Sequence, residues 1–215
     1  MRIFLDTANM EQIEQAARLG VISGITTNPS LVSKEGIADY KSAIKEICAI
    51  IPGPVSAEVI AEKAGDMITQ GRDIAGWSPN VVIKIPSTVD GIEATSILSK
   101  ENIRVNLTLV FSLNQALLGA LAGAAYVSPF VGRLDDVGHD GMELVKDIVE
   151  VFKNYQFSTQ VIAASIRHPL HCVAAAKAGA HIATVPYSVL MQMIRHPLTD
   201  VGVVRFLEDW KRVAR

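Results

Sequence analysis

Asn80-Val81-Val82-Ile83-Lys84-Ile85-Pro86 is a run of apolar, mostly β-branched residues with a single cation inside it. Such residues favour strands. An unbroken apolar run, unlike an alternating one, is how a strand covered on both faces of a parallel sheet reads. If the strand is central, water does not reach Lys84. Lysine is seldom buried without a partner or a use. Burial disfavours an ammonium, and a neutral amine in an apolar pocket attacks carbonyls, so the functional reading is a Schiff-base nucleophile. The alternative is a solvated lysine on an edge strand.

Similar short runs recur along the chain. They predict strands over residues 3–6, 23–26, 55–59, 81–85, 104–108, 126–128, 161–164 and 182–184. Stretches with helical spacing lie between them. In residues 10–19, Ile13, Ala16 and Ala17 share a face, with Glu11 and Glu14 off it. Residues 140–152 place Met142, Val145, Ile148, Val149 and Phe152 together in the same way. Gly20, Gly123 and Gly179 each stand just before a strand and mark helix stops. Eight strand-then-helix units in 215 residues make an α/β chain with the count of a (β/α)8 TIM barrel. The runner-up is a doubly wound open sheet, but the first turn, Asp6-Thr7-Ala8-Asn9, has no glycine-rich phosphate loop. The expected organisation is one barrel domain over residues 1–215. A helical pattern at 188–195 follows the eighth strand. An extra C-terminal helix near 199–213, carrying Trp210, is expected to pack on the barrel or on a neighbouring subunit.

Composition narrows the partners. A net charge of −2, with no basic block, points away from nucleic acid and from membrane surfaces. The longest apolar stretches are interrupted by Gly119, Gly123 and Pro129 and are too short to span a bilayer. Met1 leads directly into a strand-like segment, so no signal peptide is expected ahead of it. Two cysteines, Cys48 and Cys172, make no disulfide framework, so a reducing cytoplasm is expected. The five histidines form no metal box; surface or capping roles are expected for them.

In a (β/α)8 barrel the active site lies at the C-terminal ends of the strands. Polar residues collect there: Asp6, then Thr26 and Asn28, Glu58, Lys84, Asn106 and Thr108, Ser128 with Phe130 and Arg133, and finally Ser165 with Arg167. Taken singly, Asp6 reads as a helix cap, Glu58 as the partner of a buried cation, Asn106 and Thr108 as strand hydrogen bonders, and the arginines as surface charges. Their convergence at one end of the strands favours a site. Imine formation at Lys84 needs a proton shuttle, for which Glu58 stands on the neighbouring strand, with Thr108 to hold a water. An iminium at Lys84 is an electron sink, and breaking the carbon–carbon bond beyond it needs a base, for which Asp6 remains. Arg133, Arg167 and Ser165 offer donors suited to a phosphate.

Together, Leu5-Asp6-Thr7, Thr26-Thr27-Asn28-Pro29-Ser30-Leu31, Val82-Ile83-Lys84-Ile85-Pro86, Asn106-Leu107-Thr108-Leu109-Val110-Phe111-Ser112, Ser128-Pro129-Phe130-Val131-Gly132-Arg133 and Ala163-Ala164-Ser165-Ile166-Arg167 resemble the transaldolase family. The short chain is most similar to its small subfamily. The resemblance implies a cytoplasmic, cofactor-free enzyme of the pentose phosphate pathway that moves a dihydroxyacetone group between sugar phosphates. Sedoheptulose 7-phosphate and glyceraldehyde 3-phosphate would give erythrose 4-phosphate and fructose 6-phosphate. It makes Lys84 the Schiff-base lysine and Asp6 the acid/base of bond cleavage, with Glu58 and Thr108 activating water. Thr26, Asn28, Asn106, Ser128 and Phe130 would line the substrate site, and Arg133, Ser165 and Arg167 would bind phosphate. It also implies a homo-oligomer, pentameric or decameric. The similar fructose 6-phosphate aldolases tend to carry glutamine in place of Glu58 and tyrosine in place of Phe130, so both positions here favour the transferase. A non-catalytic sugar-phosphate-binding barrel is the reading from another class; it would have no need of Lys84, Glu58 and Asp6 together.

Overall fold

The computed structural model describes residues 1–213. Its first half runs β1 (Arg2–Asp6), α1 (Met10–Arg18), β2 (Ile22–Thr26), α2 (Pro29–Lys34), α3 (Tyr40–Ile50), β3 (Val55–Glu58), α4 (Ala64–Ala75) and β4 (Val81–Pro86). Next come α5 (Val89–Lys100), β5 (Val105–Val110), α6 (Leu113–Leu121), β6 (Tyr126–Pro129), α7 (Val131–Asp135) and α8 (Gly141–Asn154). The last part holds β7 (Gln160–Ala163), α9 (Pro169–Lys177), β8 (Ile182–Val185), α10 (Tyr187–Ile194) and α11 (Pro197–Val213). All eight expected strands form, and they close into a parallel barrel in chain order, with β8 pairing back onto β1. Closure leaves no edge strand, which removes the solvated-lysine reading of Lys84. α2 and α7 are short helices that the spacing pattern did not separate from their loops.

Side chains on a strand alternate between the two faces of the sheet. In a barrel one face looks inward and the other toward the helices. Outward residues such as Leu5, Ile25, Ile83, Ile85, Leu107 and Val127 merge with the helices' apolar faces into the main core. Inward residues Phe4, Val82, Tyr126, Ile162 and Ile182 form a separate cluster that plugs the barrel. On β2, Gly24 leaves space for the Phe4 ring, which would stand 2.6 Å from a Cβ there.

Local chemistry bounds the helices, and the glycine stops stand where the sequence placed them. Asn9, Thr88, Ser112 and Asp140 cap α1, α5, α6 and α8 with side-chain oxygens that accept backbone N–H groups. Gly20, Gly123 and Gly179 take left-handed φ angles of 69°, 89° and 82°. α11 begins at a proline and buries none of its residues within the chain; Leu198, Phe206 and Trp210 stay exposed. Among the described residues no helix is long and apolar enough to cross a membrane.

Candidate active site

Two residues beyond the plug residues, the inward face turns polar on each of their strands but β7, which leads to Ala164 there. Phe4, Val82, Tyr126, Ile162 and Ile182 are followed at that spacing by Asp6, Lys84, Ser128, Ala164 and Thr184. All five of these line one cavity of about 220 Å³, together with Thr26, Asn28, Thr108, Phe130, Arg133, Ser165, Arg167 and Pro186. The apolar plug thus becomes the floor of a polar pocket at the C-terminal ends of the strands.

Lys84 is 5% exposed. Its Nζ donates to Glu58 Oε2 at 2.9 Å and to the Thr27 carbonyl at 3.1 Å. The register of β3 on β4 sets Glu58 directly beside Lys84. A buried ion pair adds little net stability, because desolvation offsets its attraction, so its presence at a cavity points to chemistry. The Glu58 backbone N–H donates to the Tyr40 hydroxyl at 3.0 Å, which fixes the end of β3 against α3. Thr108, two residues beyond Asn106 on β5, is fully buried, and its hydroxyl has no partner among the described residues. Buried hydroxyls are rarely left unpaired, so Thr108 is suited to holding a water or a reacting group.

Asp6 is set deep in the barrel mouth, with one side of its carboxylate open to the cavity. Burial raises its pKa above the ordinary aspartate value. The Lys84 charge and the hydrogen bond from Thr26 oppose that rise, and Glu58 adds to it. Thr26 Oγ1 donates to Asp6 Oδ1 at 2.7 Å. Asn28 caps α2, its Oδ1 accepting the Leu31 N–H at 2.9 Å, which leaves the amide NH2 as a donor. Asn106 is fully buried and lies behind the cavity wall. Its NH2 donates to Ser56 Oγ at 3.2 Å, and its oxygen accepts from Ser128 Oγ at 2.7 Å. Ser128, with its proton so engaged, presents lone pairs to the cavity.

The far wall carries the cations. The Arg133 guanidinium lies 5.0 Å from the Phe130 ring centroid, and Phe130 packs edge-on against Phe111 at 5.7 Å. Arg167 donates to Asp136 Oδ2 at 2.8 Å. Gly132 brings the two arginines to one wall. Its N–H donates to the Ser165 carbonyl at 3.0 Å, and a Cβ at Gly132 would sit 2.2 Å from that oxygen and 2.7 Å from Arg167. Ser165 itself takes φ 58°, a costly conformation for a residue with a Cβ and one found often at functional loops. His171 accepts the Arg167 N–H on Nδ1 and faces Asp135 with Nε2 at 3.1 Å, so it braces this loop.

Of the residues singled out by sequence, eleven of the twelve meet around this cavity or directly behind Lys84, while Asn106 is reached only through Ser128. Sequence reasoning missed Thr184, Tyr40 and the bracing role of His171. Nothing marked Thr184 in the sequence, because an uncharged threonine in Ile182-Ala183-Thr184-Val185 reads as an ordinary strand residue.

The chain is similar to known proteins along its whole length. The family model described as Transaldolase/Fructose-6-phosphate aldolase matches residues 3–214. A probable transaldolase of Dehalococcoides mccartyi is 66% identical over 216 residues, covering 100% of both chains. One from Desulforudis audaxviator is 61% identical over 215 residues, again covering 100% of both. Among solved structures, thiamine phosphate pyrophosphorylase from Pyrococcus furiosus superposes with a TM-score of 0.60 at 15% identity, covering 86% of this chain and 85% of that one. At that identity the likeness is one of fold alone.

Proposed function

The chain belongs to the transaldolase/fructose-6-phosphate aldolase family, and on that premise we propose that it transfers a dihydroxyacetone group from a ketose phosphate to an aldose phosphate through an imine on Lys84. The observation that carries this reading is the buried Lys84–Glu58 pair, at 2.9 Å, whose lysine faces a cavity that Asp6 also lines.

In this reading Glu58 takes a proton from the Lys84 ammonium, and the free amine adds to the ketose C2 carbonyl. The carbinolamine loses its hydroxyl as water, with Glu58 returning the proton and Thr108 holding the water. The iminium then withdraws electrons. Asp6 removes the proton of the C4 hydroxyl, the C3–C4 bond breaks, and an aldose phosphate leaves. An enamine of dihydroxyacetone stays on Lys84. It adds to the aldehyde of the acceptor, Asp6 returns the proton to the new hydroxyl, and water releases the new ketose phosphate. Asn28 and Ser128 hold hydroxyls of the three-carbon unit, and Asn106 acts through Ser128. Arg133, Arg167 and Ser165 hold the phosphate.

Phe130 and Glu58 favour transfer over release. A tyrosine in place of Phe130 would offer a hydroxyl to hold water against the enamine, whereas a phenyl ring does not. With sedoheptulose 7-phosphate as donor, formation of erythrose 4-phosphate beyond the first turnover should require glyceraldehyde 3-phosphate. Erythrose 4-phosphate and free dihydroxyacetone formed without an acceptor would make the enzyme an aldolase, and silence with and without it would leave a binding protein. A homo-oligomer is also part of this reading, supported by the apolar residues that α11 leaves uncovered.

Gly132 tests the phosphate end. Gly132→Ala forces apart the Ser165 carbonyl and Arg167, which would stand 2.2 Å and 2.7 Å from the new Cβ. Loss of one charge-assisted contact should raise KM for the ketose phosphate by about tenfold or more, with a smaller change in kcat. Steady-state kinetics would show it, and an unchanged KM would remove Gly132 from the account.

A further inference from the structure

Three oxygens stand in a row across the barrel closure. Thr184 Oγ1 on β8 is 2.5 Å from Thr26 Oγ1 on β2, and Thr26 Oγ1 is 2.7 Å from Asp6 Oδ1 on β1. Thr184 is 3% exposed and lines the cavity. Two hydrogen bonds therefore have to be filled by the protons at hand. When Asp6 is ionised it contributes none, and each threonine hydroxyl has one. Only one arrangement fills both gaps: Thr184 donates to Thr26, and Thr26 donates to Asp6.

We propose that Thr184 is a positioning residue for the Asp6 base, acting through Thr26 to hold the carboxylate ionised and aimed into the cavity. The inference rests on the Schiff-base reading above and names a residue that reading does not use. The Thr184 hydroxyl acts on the ionised form of Asp6. Its donation polarises the Thr26 O–H and strengthens the bond to the ionised carboxylate. Without Thr184 the ionised form loses that support, and Asp6 becomes harder to ionise.

The other groups facing Asp6 do not compete for this role. Lys84 from β4 and Glu58 from β3 supply the neighbouring charges. Thr26 and Thr184 are uncharged, and Arg133 and Arg167 share the cavity wall. α10, which packs on β1, brings Tyr187, whose hydroxyl is engaged by Gln15.

Thr184→Val keeps the side-chain volume and removes the hydroxyl, and Thr184→Ser keeps the hydroxyl. The native enzyme and both variants would be compared by kcat/KM for transfer against pH, by borohydride trapping on Lys84, and by thermal melting. The valine variant should still form the trapped adduct. The acidic limb of its profile should move up by as much as about one pH unit, the share of one lost hydrogen bond, giving up to about tenfold less activity below the limb. The serine variant should keep the native limb. A purely structural role for Thr184 would lower the melting point and leave the limb in place. Identical limbs for native and valine forms, or equal shifts for serine and valine, would overturn the proposal. If the valine form does not fold, Thr184→Ala carries the same comparison. Absence of any adduct on the native enzyme would instead overturn the Schiff-base reading.

Discussion

Lys84→Met abolishes transfer. The expected fall in kcat/KM is at least about ten-thousand-fold, equivalent to about 5.5 kcal/mol of lost transition-state stabilisation. Methionine keeps the apolar stem and removes the nitrogen, and among the described residues no other amine lines the cavity. Borohydride added with fructose 6-phosphate should fix a stable adduct on the Lys84 peptide of the native enzyme and none on the variant, read by peptide mass spectrometry. An adduct on a different residue would remove the mechanism. The substitution also strands Glu58, whose only salt-bridge partner among the described residues is Lys84 at 2.9 Å. Breaking one half of a buried pair costs about 3–5 kcal/mol when the remaining charge cannot relax. A lower melting point is therefore expected for Lys84→Met, and the double variant with Glu58→Gln should recover part of it. Activity should not return with stability, which separates the lysine's chemistry from its place in the fold.

Asp6→Asn should divide the reaction at its middle. In the proposed mechanism imine formation runs through Lys84 and Glu58, so the borohydride adduct should still form. Carbon–carbon cleavage there needs the Asp6 base, and its loss should cost about 10²- to 10⁴-fold in kcat. Loss of the adduct as well would show that Asp6 acts in imine formation. The same variant makes a prediction about stability with a definite sign. Burial raises the folded-state pKa of Asp6 above its ordinary value of 3.8, against the pull of Lys84 and Thr26. The folded protein therefore holds that proton more tightly than the unfolded chain does. Stability from this group falls as pH rises from the ordinary value through the raised one. Asparagine undergoes no such loss. At pH 7 the Asn variant should melt at or above the native temperature, and the gap should close as pH falls toward the ordinary aspartate range. Such a gain at the expense of activity is common where a site carries a costly group. A variant that melts well below the native protein at neutral pH would mean that the Asp6 carboxylate holds the fold together.

Sequence alone determined the architecture, because barrel strands and amphipathic helices have periods written in consecutive residues. The run around Lys84, the apolar strands on either side of it and the polar residues at their ends were legible for that reason. The same local grammar made Asp6, Glu58 and Lys84 conspicuous, since a charge within or at the end of an apolar strand stands out without any partner in view. Partnerships were another matter. Tyr40 under Glu58, Asn106 turned to Ser56 and Ser128, and Gly132 pressed on the Ser165 carbonyl are contacts between distant segments. Thr184 shows the limit best. In Ile182-Ala183-Thr184-Val185 it reads as an ordinary strand residue, and Thr26 lies 158 positions away. Only closure of β8 onto β1 brings the two hydroxyls to 2.5 Å. Which oxygen donates to which depends on how many protons are shared among oxygens in contact, and that contact exists only in the folded barrel.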